Sequence, residues 1–437
     1  MHRSSVFLVF LLIVVPCSSA PASARRPDII LIVIDTLRYD ATSFGDPQAA
    51  NTPFLASLAS RGVLFTNTYS THDFTPPSHF SILTGLNDGL ATPQDRQEYG
   101  VPFQLSKAGY DTFATAGNQL IDPSAMPTMR GFRTFRGVHD IDHGTIPILE
   151  LSDVDRRLRW FGCRLTNRNR AMIYYSAERL LTVFLDQIRA AKQPYFGFIN
   201  LLDPHEPYAP DPNAYALEHD LPPGFDGDVM ARVLPAELTN PEQIKDPARR
   251  EYVQRKIEQV RFPKLLAVDL PEASRKIYRR RYLAKVREVD DKLRLFFAVL
   301  QREDRLANTV VIITSDHGEA FGEDDVITHM FGDNAAYEAT HRVPLLIVLP
   351  PGMSRKTASI DRRVSIANVA ASIYDFAAVD SSPLRARIPS AAQSLVPLFS
   401  TVPPRTARFA LPPIDAPVDD KASRETERIL RSLGYVQ

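Results

Sequence analysis

Asp28-Ile29-Ile30-Leu31-Ile32-Val33-Ile34-Asp35 is a run of six large aliphatic side chains closed at each end by a carboxylate. A strand with one wet face alternates apolar and polar residues; this run does not, so it predicts a strand buried on both faces of a sheet. Tyr195 to Leu202, Thr309 to Thr314 and Pro344 to Leu349 have the same character. Between these runs lie helical patterns: Thr52 to Gly62, ended by glycine, Ser176 to Lys192, and Tyr278 to Arg302. In the last, Tyr282, Val286, Val289, Leu293, Phe296 and Leu300 recur at threes and fours, which gives one face for packing on the sheet. Strands and helices in alternation predict an α/β fold, a mainly parallel central sheet with helices on both faces.

Such sheets bind ligands at the carboxyl ends of their strands, where this chain places its chemistry. Asp35 ends the first run, Asp203, His205 and Glu206 follow the second, and Asp316, His317 and Glu319 follow the third. Carboxylates crowded together without a counter-charge cost several kcal/mol, and one divalent cation offsets that. Oxygens from Asp35, Asp316 and Thr75 with a nitrogen from His317 suit zinc or manganese ahead of magnesium or calcium. Asp316-His317-Gly318 by itself also reads as an ordinary turn after a strand; the convergence of three strand ends favours chemistry.

Thr75-Pro76-Pro77-Ser78-His79, continued by Phe80-Ser81-Ile82-Leu83-Thr84-Gly85, puts a hydroxyl at the mouth of a helix. Thr is a good cap and Pro is tolerated in the first turn, so the stretch predicts Thr75 as N-cap, with the helix dipole and free N–H groups favouring negative charge there. A plain cap on a buried helix and a nucleophile at an anion site are both compatible with these residues.

The 437 residues, 44% hydrophobic, are ample for a large core, and 51 basic against 51 acidic side chains remove the electrostatic case for nucleic acid as a general partner. His2-Arg3, the apolar run Val6 to Val15 and Ala22-Ser23-Ala24 read as a secretory signal peptide over residues 1–24, followed by no membrane-spanning segment. Cys17 would leave with it, so Cys163 stands alone and stability is expected from the core and a metal rather than a disulfide.

The ordered set Asp35, Thr52-Pro53-Phe54, Thr75-Pro-Pro-Ser-His, Ser315-Asp316-His317-Gly318-Glu319 and Arg342-Val343-Pro344-Leu345 resembles the sulfatase-like branch of the alkaline phosphatase superfamily, from about Arg26 to Leu349. The tail Glu427 to Tyr435 is similar to that family's C-terminal end. The resemblance implies a metal centre at the strand ends and displacement at a sulfate or phosphate ester. The departures are specific. Thr75 stands where sulfatases carry the Cys or Ser that becomes formylglycine, His79 where they carry Arg, and Thr36 where they carry a second metal-binding Asp. Asp35, Thr75, Asp316 and His317 look instead like the metal set of phosphoethanolamine transferases, in which Thr is the nucleophile.

That resemblance implies attack by the Thr75 hydroxyl on phosphorus, a covalent phospho-threonine, and release to water or an acceptor alcohol. His205, in Asp-Pro-His-Glu-Pro-Tyr, and His329 are the accompanying catalytic candidates; Arg38, His79 and His341 are candidates for contacting the substrate anion, with a surface ion pair the stronger reading for Arg38. The expected domains are a catalytic unit over 25–380, with a lid insertion over 203–272, and a C-terminal extension over 381–437. The arginines between Arg156 and Arg170 read as a solvated helical face or, less simply, a grip on an anionic substrate. The leading expectation is an exported, periplasmic or extracellular metal-dependent hydrolase or phosphotransferase acting on small-molecule or glycan phosphate esters. Its rivals are a sulfatase working without formylglycine and a degenerate binder of sulfated or phosphorylated glycans.

Overall fold

In the computed structural model, which describes residues 25–48, 51–86, 100–137, 140, 176–205, 208, 245–248, 250–251, 254, 272–329, 336–380 and 393–400, Asp28–Ile34 forms β1 with every residue buried. The chain continues through α1 (Pro53–Ala59), β2 (Gly62–Tyr69), α2 (Thr75–Thr84), α3 (Val101–Lys107), β3 (Asp111–Ala116) and β4 (Thr134–Arg136). Then come α4 (Ala177–Ala190), β5 (Tyr195–Leu201), α5 (Glu272–Arg302), β6 (Thr309–Thr314), and the small hairpin β7 (Ala320–Phe321) and β8 (Ile327–Thr328). The last described elements are α6 (Tyr337–His341), β9 (Arg342–Val348), β10 (Ser359–Ile360), β11 (Val364–Ser365), α7 (Asn368–Ala377) and α8 (Val396–Phe399). The signal segment, both cysteines, Arg156 to Arg170, Glu206, most of the 203–272 insertion and most of the C-terminal extension lie outside the described residues.

The main sheet runs β10-β2-β9-β6-β1-β5-β3-β4, with β11 also on β2. β1 sits between β5 and β6, parallel to both, which is why its side chains can all be apolar. Alternate residues serve two cores: Ile29, Leu31 and Val33 join the layer with Phe80, Leu83, Leu105 and Ile373 from α2, α3 and α7. Ile30, Ile32 and Ile34 join the layer with Leu55, Phe184, Val289 and Phe296 from α1, α4 and α5. Each such side chain contributes about 1.5–3 kcal/mol of burial.

Three expectations need correction. The Pro344 to Leu349 run is a strand, but β9 is antiparallel to both β2 and β6. The helix expected to reach Gly62 stops at Ala59, and Gly62 opens β2, where a Cβ would collide with the Ile347 carbonyl of β9. Thr75 is the first helical residue rather than the cap; Phe74 occupies the cap position in an extended conformation. Because β9 runs backwards, β2 points the same way as the parallel strands. Its end delivers the chain to α2 on the same sheet edge as the ends of β1, β5 and β6.

Candidate active site

At that edge Asp35, Asp316 and His317 bring one ligand atom each to within 4.8 Å of one another. The individual hydrogen bonds show which atoms are committed and which are available. Asp316 Oδ1 accepts from the backbone N–H groups of His317 (2.9 Å) and Thr36 (3.2 Å), and Asp35 Oδ2 accepts from Asn118 Nδ2 (3.0 Å). Asp316 Oδ2 and Asp35 Oδ1 have no hydrogen-bond partner among the described residues, although both are buried. His317 Nδ1 lies 2.9 Å from the Gly318 carbonyl, which can only accept, so the ring carries its proton on Nδ1 and a lone pair on Nε2. That Nε2 lies 3.7 Å from Asp35 Oδ1 and 3.5 Å from Asp316 Oδ2. Two carboxylate oxygens and an imidazole nitrogen lone pair thus face one another, a set that a divalent cation would satisfy.

The charges point the same way. Burial, and after it the Asp316 charge, pushes the Asp35 carboxyl up to about 7, while burial pushes Asp316 up to about 7 against the N–H groups of His317 and Thr36. Burial, with the neighbouring His329 ring next, holds His317 well below the ordinary histidine value, so it is a neutral ligand. A cation reverses the first two shifts and accepts the third.

Thr75 completes the group. Its Oγ1 lies 3.3 Å from His317 Nε2 and accepts from Asn118 Nδ2 at 3.3 Å. Asn118 orientation is settled by its other end, where Oδ1 accepts from Leu120 N (3.0 Å), so its amide N–H groups face Asp35 and Thr75. The helix contributes less to an anion site than its sequence suggests. Pro76 and Pro77 have no N–H, and Ser78 N already bonds the Phe74 carbonyl at 3.4 Å.

The turn after β1 is strained. Thr36 has φ of 56°, which costs a β-branched residue about 1–3 kcal/mol. It is held by a zipper between two strand ends: Thr36 N to Asp316 Oδ1, Leu37 N to Ser315 Oγ (2.8 Å), and Ser315 Oγ to the His317 carbonyl (2.7 Å). On the other strand end, Gly318 has no room for a side chain, since a Cβ would strike the Ala339 carbonyl.

The remaining candidates divide. The His329 ring packs 4.5 Å from His317 and 4.9 Å from His205, centroid to centroid, and its Nδ1 lies 3.1 Å from Glu319 Oε1. His205, His317 and His329 therefore form one cluster. His79 is fully buried behind it, with Nδ1 donating to the Thr75 carbonyl at 3.0 Å and lying 3.4 Å from Asp316 Oδ2. Burial lowers its pKa to about 4, so it is neutral and steadies the Thr75 turn rather than offering a charge to substrate. For Arg38 the ion-pair reading holds over the anion-pocket one: its guanidinium is bonded to Asp40 (2.6 Å), Glu323 (2.6 Å) and the Glu319 carbonyl (2.9 Å). His341 is buried, stacks on Tyr337 at 4.3 Å and is linked to the centre through a relay, its carbonyl accepting from Ser70 N while Ser70 Oγ donates to the Asp316 carbonyl. Asp203 is not in the metal group; it pairs with buried Lys285 and accepts from Ala177 N at the start of α4. Sequence reasoning missed Asn118, which follows β3. The run Asp111-Thr-Phe-Ala-Thr-Ala is too weakly apolar to announce a strand, and only the Gly117-Asn118 pair behind it signals a strand end.

With this geometry established, comparison with known proteins is decisive, because the sulfatase family model matches residues 27–379. The chain belongs to the sulfatase family. It is 26% identical over 399 residues to N-acetylglucosamine-6-O-sulfatase of Bacteroides thetaiotaomicron, spanning 82% of this chain and 68% of the relative. It is 22% identical over 371 residues to choline-sulfatase of Rhizobium meliloti, spanning 79% and 68%. Among solved structures, phosphonate monoester hydrolase of Agrobacterium radiobacter aligns with a TM-score of 0.52 at 19% identity, over 80% of this chain and 74% of that one. An enzyme solved with its substrate D-glucosamine-2-N,6-O-disulfate aligns with a TM-score of 0.56 at 20% identity, over 86% and 81%. The structural likenesses establish the shared α/β fold, and family membership makes this sulfatase-family chain an ester hydrolase. Among its described residues no helix is long and apolar enough to cross a membrane.

Proposed function

We propose that this chain is a metal-dependent phosphoester hydrolase or phosphotransferase that works through a covalent Thr75 intermediate. The observation that carries the reading is Thr75 Oγ1 itself, 3.3 Å from His317 Nε2 and from Asn118 Nδ2, beside two carboxylate oxygens without donors. Asp35, Asp316, His317 and Thr75 would hold the metal, which when bound lowers a hydroxyl pKa and draws charge from a phosphoryl oxygen. The oxygen and nitrogen donor set favours zinc or manganese.

The side chains then have distinct tasks. Asn118 fixes the Thr75 oxygen by occupying one lone pair, leaving another for attack on phosphorus. As the Thr75–phosphorus bond forms and the ester oxygen leaves, the Thr75 hydroxyl proton passes to that oxygen through His205 or His329, the two imidazoles packed on one another beside the group. Water or an acceptor alcohol next displaces Thr75 from phosphorus, and the proton it gives up returns through the same imidazole to the Thr75 oxygen, restoring the hydroxyl. Residues 1–24 support export to a periplasmic or extracellular site, 25–380 the catalytic unit, 203–272 a rim that selects substrate, and 381–437 an extension.

Two relatives named as sulfatases keep sulfate esters as the second reading; Thr75, in place of Cys or Ser, speaks against formylglycine chemistry. The test is turnover of an aryl phosphate, a phosphodiester, a phosphonate monoester and an aryl sulfate by purified protein with zinc or manganese, beside Thr75→Ala. Phosphoester turnover should fall on the order of 10³-fold or more in the variant, and acid-quenched wild type should carry a phosphate on the Thr75 peptide by mass spectrometry. Full activity in Thr75→Ala refutes the nucleophile; turnover confined to the sulfate ester refutes the phosphoryl reading.

A further inference from the structure

Tyr282 lies on α5, more than two hundred residues from Asp35, yet its hydroxyl sits on the turn that follows the first metal-site carboxylate. It donates to the Thr36 carbonyl at 2.9 Å and accepts from Arg38 N at 2.9 Å. Both backbone groups are buried in the same short turn, so one oxygen bridges its entry and exit. The bridge encloses Leu37 and starts on the carbonyl of Thr36, the residue held at φ of 56°, so it fixes the peptide that leaves Thr36. An L residue with a branched Cβ leaves that region unless its surroundings hold it there.

The conformation matters because of what it aims. With Thr36 in the left-handed region, its N–H reaches Asp316 Oδ1 at 3.2 Å. Oδ1 is thereby committed, and Oδ2 is left toward Asp35 and His317 as the available ligand atom. We infer that Tyr282 is a positioning residue for the metal centre, locking Thr36 in its strained conformation so that the Thr36 N–H orients the Asp316 carboxylate. The Tyr282 ring is fixed in turn against Phe321 (5.0 Å) and Tyr208 (6.0 Å). The helix therefore supplies a rigid post, not a mobile contact. The inference rests on the metal reading of Asp35, Asp316 and His317, and the experiment separates the two.

The experiment is calorimetric titration of the chelator-stripped protein with zinc alone and with manganese alone, for wild type, Tyr282→Phe, Thr36→Gly and the double variant. Tyr282→Phe keeps the ring and removes only the bridging oxygen; metal affinity should fall about 10- to 100-fold, the range typical of lost support behind a ligand. Glycine adopts positive φ without strain, so Thr36→Gly should stay within about threefold of wild type and, in the double variant, should recover most of the affinity lost by Tyr282→Phe. A packing role alone would not be rescued by removing the whole side chain of a different residue. Unchanged affinity in Tyr282→Phe, or no recovery in the double variant, overturns the inference while leaving the metal site standing. If Tyr282→Phe does not fold, the double variant must fold and bind metal; failure of both to fold overturns the inference. A wild type that binds neither ion overturns the metal centre and this inference with it.

Discussion

Removing the divalent ion should destabilise this protein far more at pH 8 than at pH 5. Asp35 and Asp316 are fully buried, and without a cation each carboxyl is pushed up to about 7. In the unfolded chain each ionises near pH 3.9. A carboxyl whose folded pKa lies above its unfolded one keeps its proton longer in the folded state, so stability falls as pH rises between the two values. Below about pH 4 nothing is lost, and above about pH 7 the deficit is complete. Three units correspond to on the order of 4 kcal/mol per carboxylate, about two thirds of which is relieved at pH 5. A divalent ion replaces the protons and removes the deficit. With an unfolding entropy near 2.1 cal/mol/K per residue, a domain of about 350 residues converts several kcal/mol into roughly 5–10 °C of Tm. Scanning calorimetry with saturating zinc or with chelator should show that difference at pH 8 and less than about half of it at pH 5. Glu319, also pushed up to about 7 by burial, adds a pH dependence of the same sign, so the decisive comparison is with Asp316→Asn. That variant removes one buried charge, and should raise the metal-free Tm at pH 8 while abolishing the metal-induced rise. If the metal-free wild type shows the same pH dependence as Asp316→Asn, or if metal protects equally at both pH values, the electrostatic argument fails.

Two further outcomes follow from the hydrogen bonds. Asn118→Ala strips the donor from both Thr75 Oγ1 and Asp35 Oδ2; steady-state kinetics should show kcat down about 10- to 100-fold, the scale of 1–3 kcal/mol for a lost charged hydrogen bond, with KM little changed. A change confined to KM would mean that Asn118 binds substrate instead. Lys285→Met leaves the 2% exposed Asp203 carboxylate without its ammonium partner, and chemical denaturation should show a loss of about 3–5 kcal/mol; a loss below about 1 kcal/mol would show that the Ala177 N–H or entering water already carries the compensation.

Asp35, Asp316 and His317 were legible because each directly follows a strand that the sequence announces by an unbroken aliphatic run, and strand ends in such a sheet lie together. Thr75 was legible as a helix-start hydroxyl, one position from its observed place. For Arg38 the ion pair was legible but its full set of partners was not, since Glu323 is 285 residues away. The same holds for helix caps. Thr52 has the right chemistry to cap α1, yet Asp290 of α5 accepts from Phe54 N and Leu55 N instead.

Local chemistry by itself determined the strands that carry the site, the donor types at their ends and the replacement of Cys or Ser by Thr75, because each is a property of adjacent residues. The tertiary structure alone decided that β9 runs antiparallel, which oxygen of each carboxylate is available, that Asn118 joins Asp35 to Thr75, and that Tyr282 clamps a left-handed Thr36. Those depend on pairings between groups tens to hundreds of residues apart, and a hydrogen bond is set by distance and angle in space, about which sequence spacing is silent.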